Sequence, residues 1–198
     1  MIRLYHAPRT RSVRVRWLLE ELGLPHELVT REYQRQGQPF AQAAPFGKFP
    51  SLEDGDTVMI ESGAIVEYLL EKYGDGRLGP RVGDPLRPRF LQWLHFAEST
   101  LLPPLLDVLR HTLIKPEAER IPAVVEDGRA RAGKTLDVLE RELGDAPYLL
   151  GAEFTAADIM MAYGLQWAEN FGLLEGRPRL AAYFRRIVSR PAAQRALA

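Results

Sequence analysis

The chain of 198 residues contains no cysteine. That absence excludes a disulfide framework, thiolate-bound zinc or iron–sulfur centres, and any mechanism whose nucleophile is the protein's own thiol. Net charge is also missing, because 26 Lys and Arg balance 26 Asp and Glu. A neutral total can conceal a basic half. Residues 1–75 hold 9 basic and 11 acidic side chains, and the remainder holds 17 and 15. Neither part has the positive footprint of a nucleic-acid binder. No apolar run approaches the roughly 18–20 residues that a membrane span needs. His6, His26, His95 and His111 are scattered without metal-ligand spacing, so no metal is expected. No glycine-rich loop fits the Walker or dinucleotide patterns, and no Gly-x-Ser-x-Gly elbow occurs. The N-terminus is basic and free of acids up to Glu20, as transit peptides are. Ile2-Arg3-Leu4-Tyr5 nevertheless alternates like a strand and no apolar leader core follows, so a cytoplasmic location is expected.

What is present is a globular composition, 46% hydrophobic. Ile2 to His6 alternates apolar and polar and predicts a strand, ended by Pro8. Val13, Trp17, Leu18 and Leu22 recur at helical spacing, and Gly23 followed by Pro25 stops that helix. His26 to Arg31 predicts a second strand, completing a βαβ unit whose strands run parallel. Residues 33–47 are rich in Gln, Pro, Ala and Gly and read as a loop with at most a short helix. Phe49 to Glu53 and Val58 to Ile60 flank Asp54-Gly55-Asp56, a hairpin signal. Ile65, Val66, Leu69, Leu70 and Tyr73 mark a helix closed by Gly74. The order βαβ, loop, ββα predicts an α/β domain over residues 1–75 with a mixed four-stranded sheet.

Residues 76–87 form a Gly- and Pro-rich linker without periodicity. Residues 88–198 read as an all-α domain. Arg89 to Arg110 is a long amphipathic stretch that Pro103-Pro104 should bend or break. Pro116 to Leu143, Thr155 to Asn170 and Pro178 to Ser189 are the further helices. Thr155-Ala156-Ala157-Asp158 has the spacing of a capping box, with Phe154 and Ile159 as a hydrophobic staple.

Three local features point to chemistry, each with a plainer structural alternative. Ser62 follows Glu61 at a strand-to-helix junction, where a hydroxyl, free amides and the helix dipole suit a carboxylate while Glu61 accepts from an ammonium; a plain N-cap is the alternative. Phe49-Pro50 opens the hairpin, where a cis bond would turn the Phe49 backbone outward to pair with a peptide ligand; a trans bond is the ordinary state. Thr10 and Ser12 lie between the first strand and helix, where a hydroxyl donates to a thiolate or caps the helix. Arg9, Arg11 and Arg14 make that turn cationic.

Together these motifs resemble the cytosolic glutathione S-transferases, over the whole chain. The resemblance rests on Leu4-Tyr5, on Arg14 and Trp17 to Leu22, and on Gly47-Lys48-Phe49-Pro50. It continues through Glu61-Ser62, Ala64-Ile65, Tyr68-Leu69 and Thr155 to Asp158. It implies a thioredoxin-like domain followed by an all-helical domain, a homodimer, and glutathione as co-substrate with no other cofactor. It implies a cis Pro50, Phe49 pairing with the cysteinyl backbone, and the γ-glutamyl head on Glu61 and Ser62. Lys48 and Arg35 fall where relatives contact the glycine carboxylate, Arg9 joins the glutathione-contacting set, and Glu98 reaches the ammonium across a dimer. The activating residue departs from the commonest pattern. Where many members carry Ser or Cys five residues before the helix arginine, this chain has Arg9; theta-like members use the position of Thr10. The resemblance therefore selects a bacterial Ser/Thr-type member with Thr10 as donor, then Ser12, with Tyr5 third. The expected activity is detoxifying conjugation of small hydrophobic electrophiles, or peroxide reduction, in a cleft lined by Leu101, Pro104, Leu105, Phe46 and Phe40, residues that equally suit a core. The alternative is a non-enzymatic regulatory or protein-interaction module built on the same fold.

Overall fold

The computed structural model describes residues 1–30 and 46–198. The chain divides into two compact units, Met1–Arg81 with Val188–Ala198, and Val82–Ile187.

The first unit contains β1 (Ile2–His6), α1 (Ser12–Leu22), β2 (His26–Thr30), β3 (Ser51–Asp54), β4 (Thr57–Ile60) and α2 (Ser62–Leu69). The strands form one mixed sheet in the order β2-β1-β3-β4. β1 and β2 are parallel, and the two further pairings are antiparallel. This is the mixed four-stranded sheet that the βαβ and ββα patterns predict, in the thioredoxin-like arrangement that the resemblance implies. Helix α1 ends at Gly23, whose φ of 68° lets Leu24 and Gly23 donate to the carbonyls of Leu19 and Glu20 in a Schellman closure. Gly55, at φ 62°, turns the hairpin so that Asp54 faces Thr57. Leu4, Leu18, Leu52, Ile65 and Leu69 are fully buried and form the core between sheet and helices. The chain's last helix, α8 (Pro191–Leu197), packs on α1 and belongs to this unit. Glu21 takes a two-pronged ion pair from Arg190 at 2.6 and 2.8 Å, and Glu20 takes Arg195 at 2.7 Å.

The second unit contains α3 (Arg87–Phe96), α4 (Leu102–Leu109), α5 (Pro122–Leu143), α6 (Ala156–Asn170) and α7 (Pro178–Val188). Pro103 and Pro104 do not break the first long stretch. A wide turn over Ala97–Leu101 joins α3 to α4 and leaves the prolines in the first turn of α4, where their missing N–H groups matter least. The helix expected from Pro116 begins only at Pro122. Ile121, preceding that proline, is held extended at φ −118° and ψ 102°, and upstream of it only a short turn forms at Glu117–Glu119. Gly128 and Gly164 allow close packing: a Cβ at Gly128 would sit 2.9 Å from the Pro104 carbonyl, and one at Gly164 would sit 2.6 Å from Leu101.

The capping box forms as its spacing predicts. Asp158 Oδ2 accepts from the Thr155 amide at 2.8 Å, while Oδ1 accepts from the Leu149 amide at 3.0 Å and the Tyr183 hydroxyl at 2.7 Å. One buried carboxylate thus ties α6, α7 and the preceding loop together. Replacing it leaves four buried donors unmatched, the Thr155 hydroxyl at 3.1 Å being the fourth. Asp158→Ala should lower unfolding stability by about 3 kcal/mol or more, read as a shift in the urea midpoint.

Candidate functional site

The strand register decides where the candidate residues meet. Tyr5 is opposite Ser51, and Ser51 is opposite Ile60. The segment leaving β1, the segment entering β3 and the segment leaving β4 therefore gather at one end of the sheet. Those segments carry His6 to Ser12, Phe49-Pro50, and Glu61-Ser62 respectively. Phe49 packs with Tyr5 and Ala7, which fixes the second segment against the first. The Phe49–Pro50 bond is cis.

Ser62 begins α2, with Glu61 as its N-cap residue. Glu61 has φ 71° and ψ 107°, a left-handed conformation that costs a residue with a side chain roughly 1–2 kcal/mol. Arg14, fully buried in α1, donates from Nη1 to Ser62 Oγ at 3.2 Å. That bond uses a lone pair of the hydroxyl and leaves its hydrogen to donate elsewhere. Arg14 thereby couples the starts of α1 and α2.

The turn between β1 and α1 holds a tight hydroxyl cluster. Ser12 is fully buried and its Oγ lies 2.9 Å from His6 Nδ1, 2.7 Å from Thr10 Oγ1 and 3.1 Å from the Ala7 carbonyl. The Ala7 amide donates to the same oxygen at 3.2 Å. Thr10 is only partly buried and its hydroxyl also reaches the Ala7 carbonyl at 2.8 Å. Ser12 is thus enclosed, whereas Thr10 is accessible. Tyr5 donates its hydroxyl to Glu53 at 2.9 Å, which commits it away from the turn. Sequence reasoning considered His6 only as a metal ligand and missed its contact with Ser12. The spacing of six residues across a turn carries no helical or strand periodicity that would have revealed it.

Arg9 is exposed, at φ 61°, and Lys48 is exposed beside Phe49. Arg35 and Phe40 lie outside the described residues. Glu98 lies in the second unit, in the wide turn between α3 and α4. Leu101, Pro104 and Leu105, offered as cleft lining, are buried in the core of that unit, and Phe46 is exposed. Among the described residues no group of three His, Asp or Glu is placed to hold a metal ion, and no helix is long and apolar enough to cross a membrane.

Comparison with known proteins agrees with this geometry. Residues 4–80 match the model of the glutathione S-transferase N-terminal domain, and residues 122–186 match that of the C-terminal domain. The chain belongs to the glutathione S-transferase family. A Hyoscyamus muticus glutathione S-transferase is 31% identical over 93% of this chain and 92% of its own. Glutathione S-transferase 3 of Zea mays is 32% identical over 100% of this chain and 93% of its own. The solved Phanerochaete chrysosporium glutathione transferase URE2P6, in complex with oxidized glutathione, gives a TM-score of 0.87 at 27% identity, covering 98% of this chain and 94% of that one.

Within this family's N-terminal domain, His6 is a buried titratable group. Burial, then the nearby positive charge of Arg16, lowers its pKa to about 4. The sign follows from linkage: below about pH 6.5 the unfolded chain takes up a proton that the folded site refuses until about pH 4. Stability should therefore fall as pH drops through that window, by as much as roughly 3 kcal/mol for this group. His6→Asn, which does not titrate there, should show a shallower loss in urea unfolding at matched pH.

Proposed function

We propose that this chain is a glutathione transferase whose Thr10 hydroxyl donates to the glutathione sulfur. The observation that carries the reading is the Tyr5–Ser51–Ile60 alignment, which gathers an accessible hydroxyl, the Phe49-Pro50 segment and a helix N-terminus at one end of one sheet. Each matches one part of the tripeptide. The N-terminus of α2 and the Ser62 hydroxyl, oriented by Arg14, suit the γ-glutamyl carboxylate, and Glu61 suits its ammonium. The Phe49 backbone suits the cysteinyl amide, Lys48 and Arg35 suit the glycine carboxylate, and Arg9 joins the glutathione-contacting set. Glu98 from a second copy of the chain reaches the ammonium in a homodimer.

The chemistry asked of the protein is modest. A free thiol titrates near 8.5, so little thiolate exists at neutral pH. One hydroxyl donor and the helix N-terminus at the turn favour the thiolate by about 2 kcal/mol, or one to two pKa units. The thiolate then attacks a small hydrophobic electrophile and displaces its leaving group, or cleaves a peroxide O–O bond to give a glutathione sulfenic acid that a second glutathione converts to the disulfide and water. The protein forms no mixed disulfide of its own because it has no cysteine. The chain matches proteins named as transferases along nearly their whole length, which weighs against a non-enzymatic module.

The wild-type protein should be retained on immobilised glutathione and should turn over a halogenated nitroarene. Absence of both, across a broad electrophile panel, overturns the reading. Thr10→Ala should stay retained while kcat/KM falls by about tenfold or more and the acidic limb of its pH profile moves up by about one unit. An unchanged profile would move the donor role elsewhere.

A further inference from the structure

The geometry points to a hydrogen-bond relay in which His6, as its Nδ1–H tautomer, donates to Ser12, Ser12 donates to Thr10, and Thr10 is left to donate to the glutathione sulfur. The relay rests on the reading of Thr10 as the thiolate donor, and it makes His6 and Ser12 positioning residues.

The argument is a count of hydrogens and lone pairs. A hydroxyl donates once and accepts twice. Ser12 Oγ already accepts from the Ala7 amide at 3.2 Å. Its contacts with His6 Nδ1 at 2.9 Å and Thr10 Oγ1 at 2.7 Å must each contain one hydrogen. Consider first a bare Nδ1. Ser12 then spends its only hydrogen on His6, and the short contact with Thr10 requires the Thr10 hydrogen to point inward. Thr10 then has nothing to offer a thiolate. Consider instead an Nδ1–H. Ser12 now accepts from the Ala7 amide and from His6, which fills both lone pairs. Giving its hydrogen to the Ala7 carbonyl at 3.1 Å would make the 2.7 Å contact with Thr10 need a third lone pair, so the hydrogen bridges to Thr10. Thr10 Oγ1 accepts that hydrogen and the Ser12 amide at 3.3 Å, which fills its own lone pairs. Its hydrogen must then leave the cluster. Without ligand it rests on the Ala7 carbonyl at 2.8 Å. That carbonyl keeps the Thr10 amide at 3.3 Å when the hydroxyl turns to sulfur, so the switch strands no buried acceptor.

The neutrality of the ring supports this. Burial and Arg16 hold His6 uncharged at neutral pH, so it carries one ring hydrogen and the choice of nitrogen sets the direction of the whole chain.

Imidazole-nitrogen NMR of the full-length, histidine-labelled protein saturated with glutathione tests this directly, with the His6 signals assigned by their loss in His6→Asn. A protonated Nδ1 and a bare Nε2 are expected. A bare Nδ1 in the complex overturns the relay. The second measurement is the fraction of bound glutathione present as thiolate at neutral pH, read by ultraviolet difference absorbance. His6→Leu should lower that fraction several-fold, and His6→Asn, whose amide N–H stands where Nδ1–H stood, should recover most of it. A fraction that falls in Thr10→Ala but is the same in wild type and His6→Leu overturns the relay and leaves the donor role of Thr10 intact. A fraction insensitive to Thr10→Ala overturns that donor role and the relay with it.

Discussion

The pairing register of the first unit is the constraint on which the rest depends. Side chains alternate across a strand, so a slip of one residue between β1 and β3 would exchange the core and solvent faces. Leu4 and Leu52, opposite each other and fully buried, resist that slip. The same pairing brings Ser51 beside Tyr5, and so sets Phe49-Pro50 beside the turn that carries Thr10 and Ser12. The extension to Ile60 brings Glu61 and Ser62 to that end as well. Core packing and site assembly are therefore one event. Small polar groups at the strand ends are positioned by large apolar ones in the strand middles.

Polar order at this site is built by fully buried groups. Arg14 is fully buried and directs Ser62, and Ser12 is fully buried and contacts Thr10. In a low-dielectric setting such hydrogen bonds hold their geometry, because an alternative arrangement leaves a donor or acceptor unmatched. The accessible hydroxyl gains a defined direction from neighbours that water cannot reach.

The parallel pairing of β1 with β2, the closure at Gly23, the hairpin at Gly55 and the Thr155–Asp158 box were legible because each follows from residues close in sequence, whereas the pairing of β1 with β3 joins segments about fifty residues apart. The prolines were legible only as irregularities. Pro103-Pro104 looks like a break until the wide turn before it shows where the lost hydrogen bonds are absorbed. Pro116 and Pro122 are equally good helix openers, and the extended Ile121 chooses between them. Helix α8 is short and rich in alanine, so it offers little amphipathic signal. At the site, Thr10 and Ser12 stand two residues apart with the same functional group, and spacing cannot tell an enclosed hydroxyl from an accessible one. Leu101 and Leu105 carried the same ambiguity between lining and core, and their complete burial resolves it.

The return of α8 to α1 bears on the order in which the chain acquires structure. Ala193 and Ala196 are buried in the first unit, and Arg190 and Arg195 neutralise Glu21 and Glu20 on α1. On the ribosome, α1 emerges well before its partner helix, with the whole of Val82–Ile187 between them. At the usual synthesis rate of about 5–20 residues per second, the face of α1 that receives α8 waits on the order of ten seconds or more, while Val82–Ile187 is already complete. The second unit can close as an uninterrupted stretch of chain, whereas the first cannot be finished until the second has been synthesised.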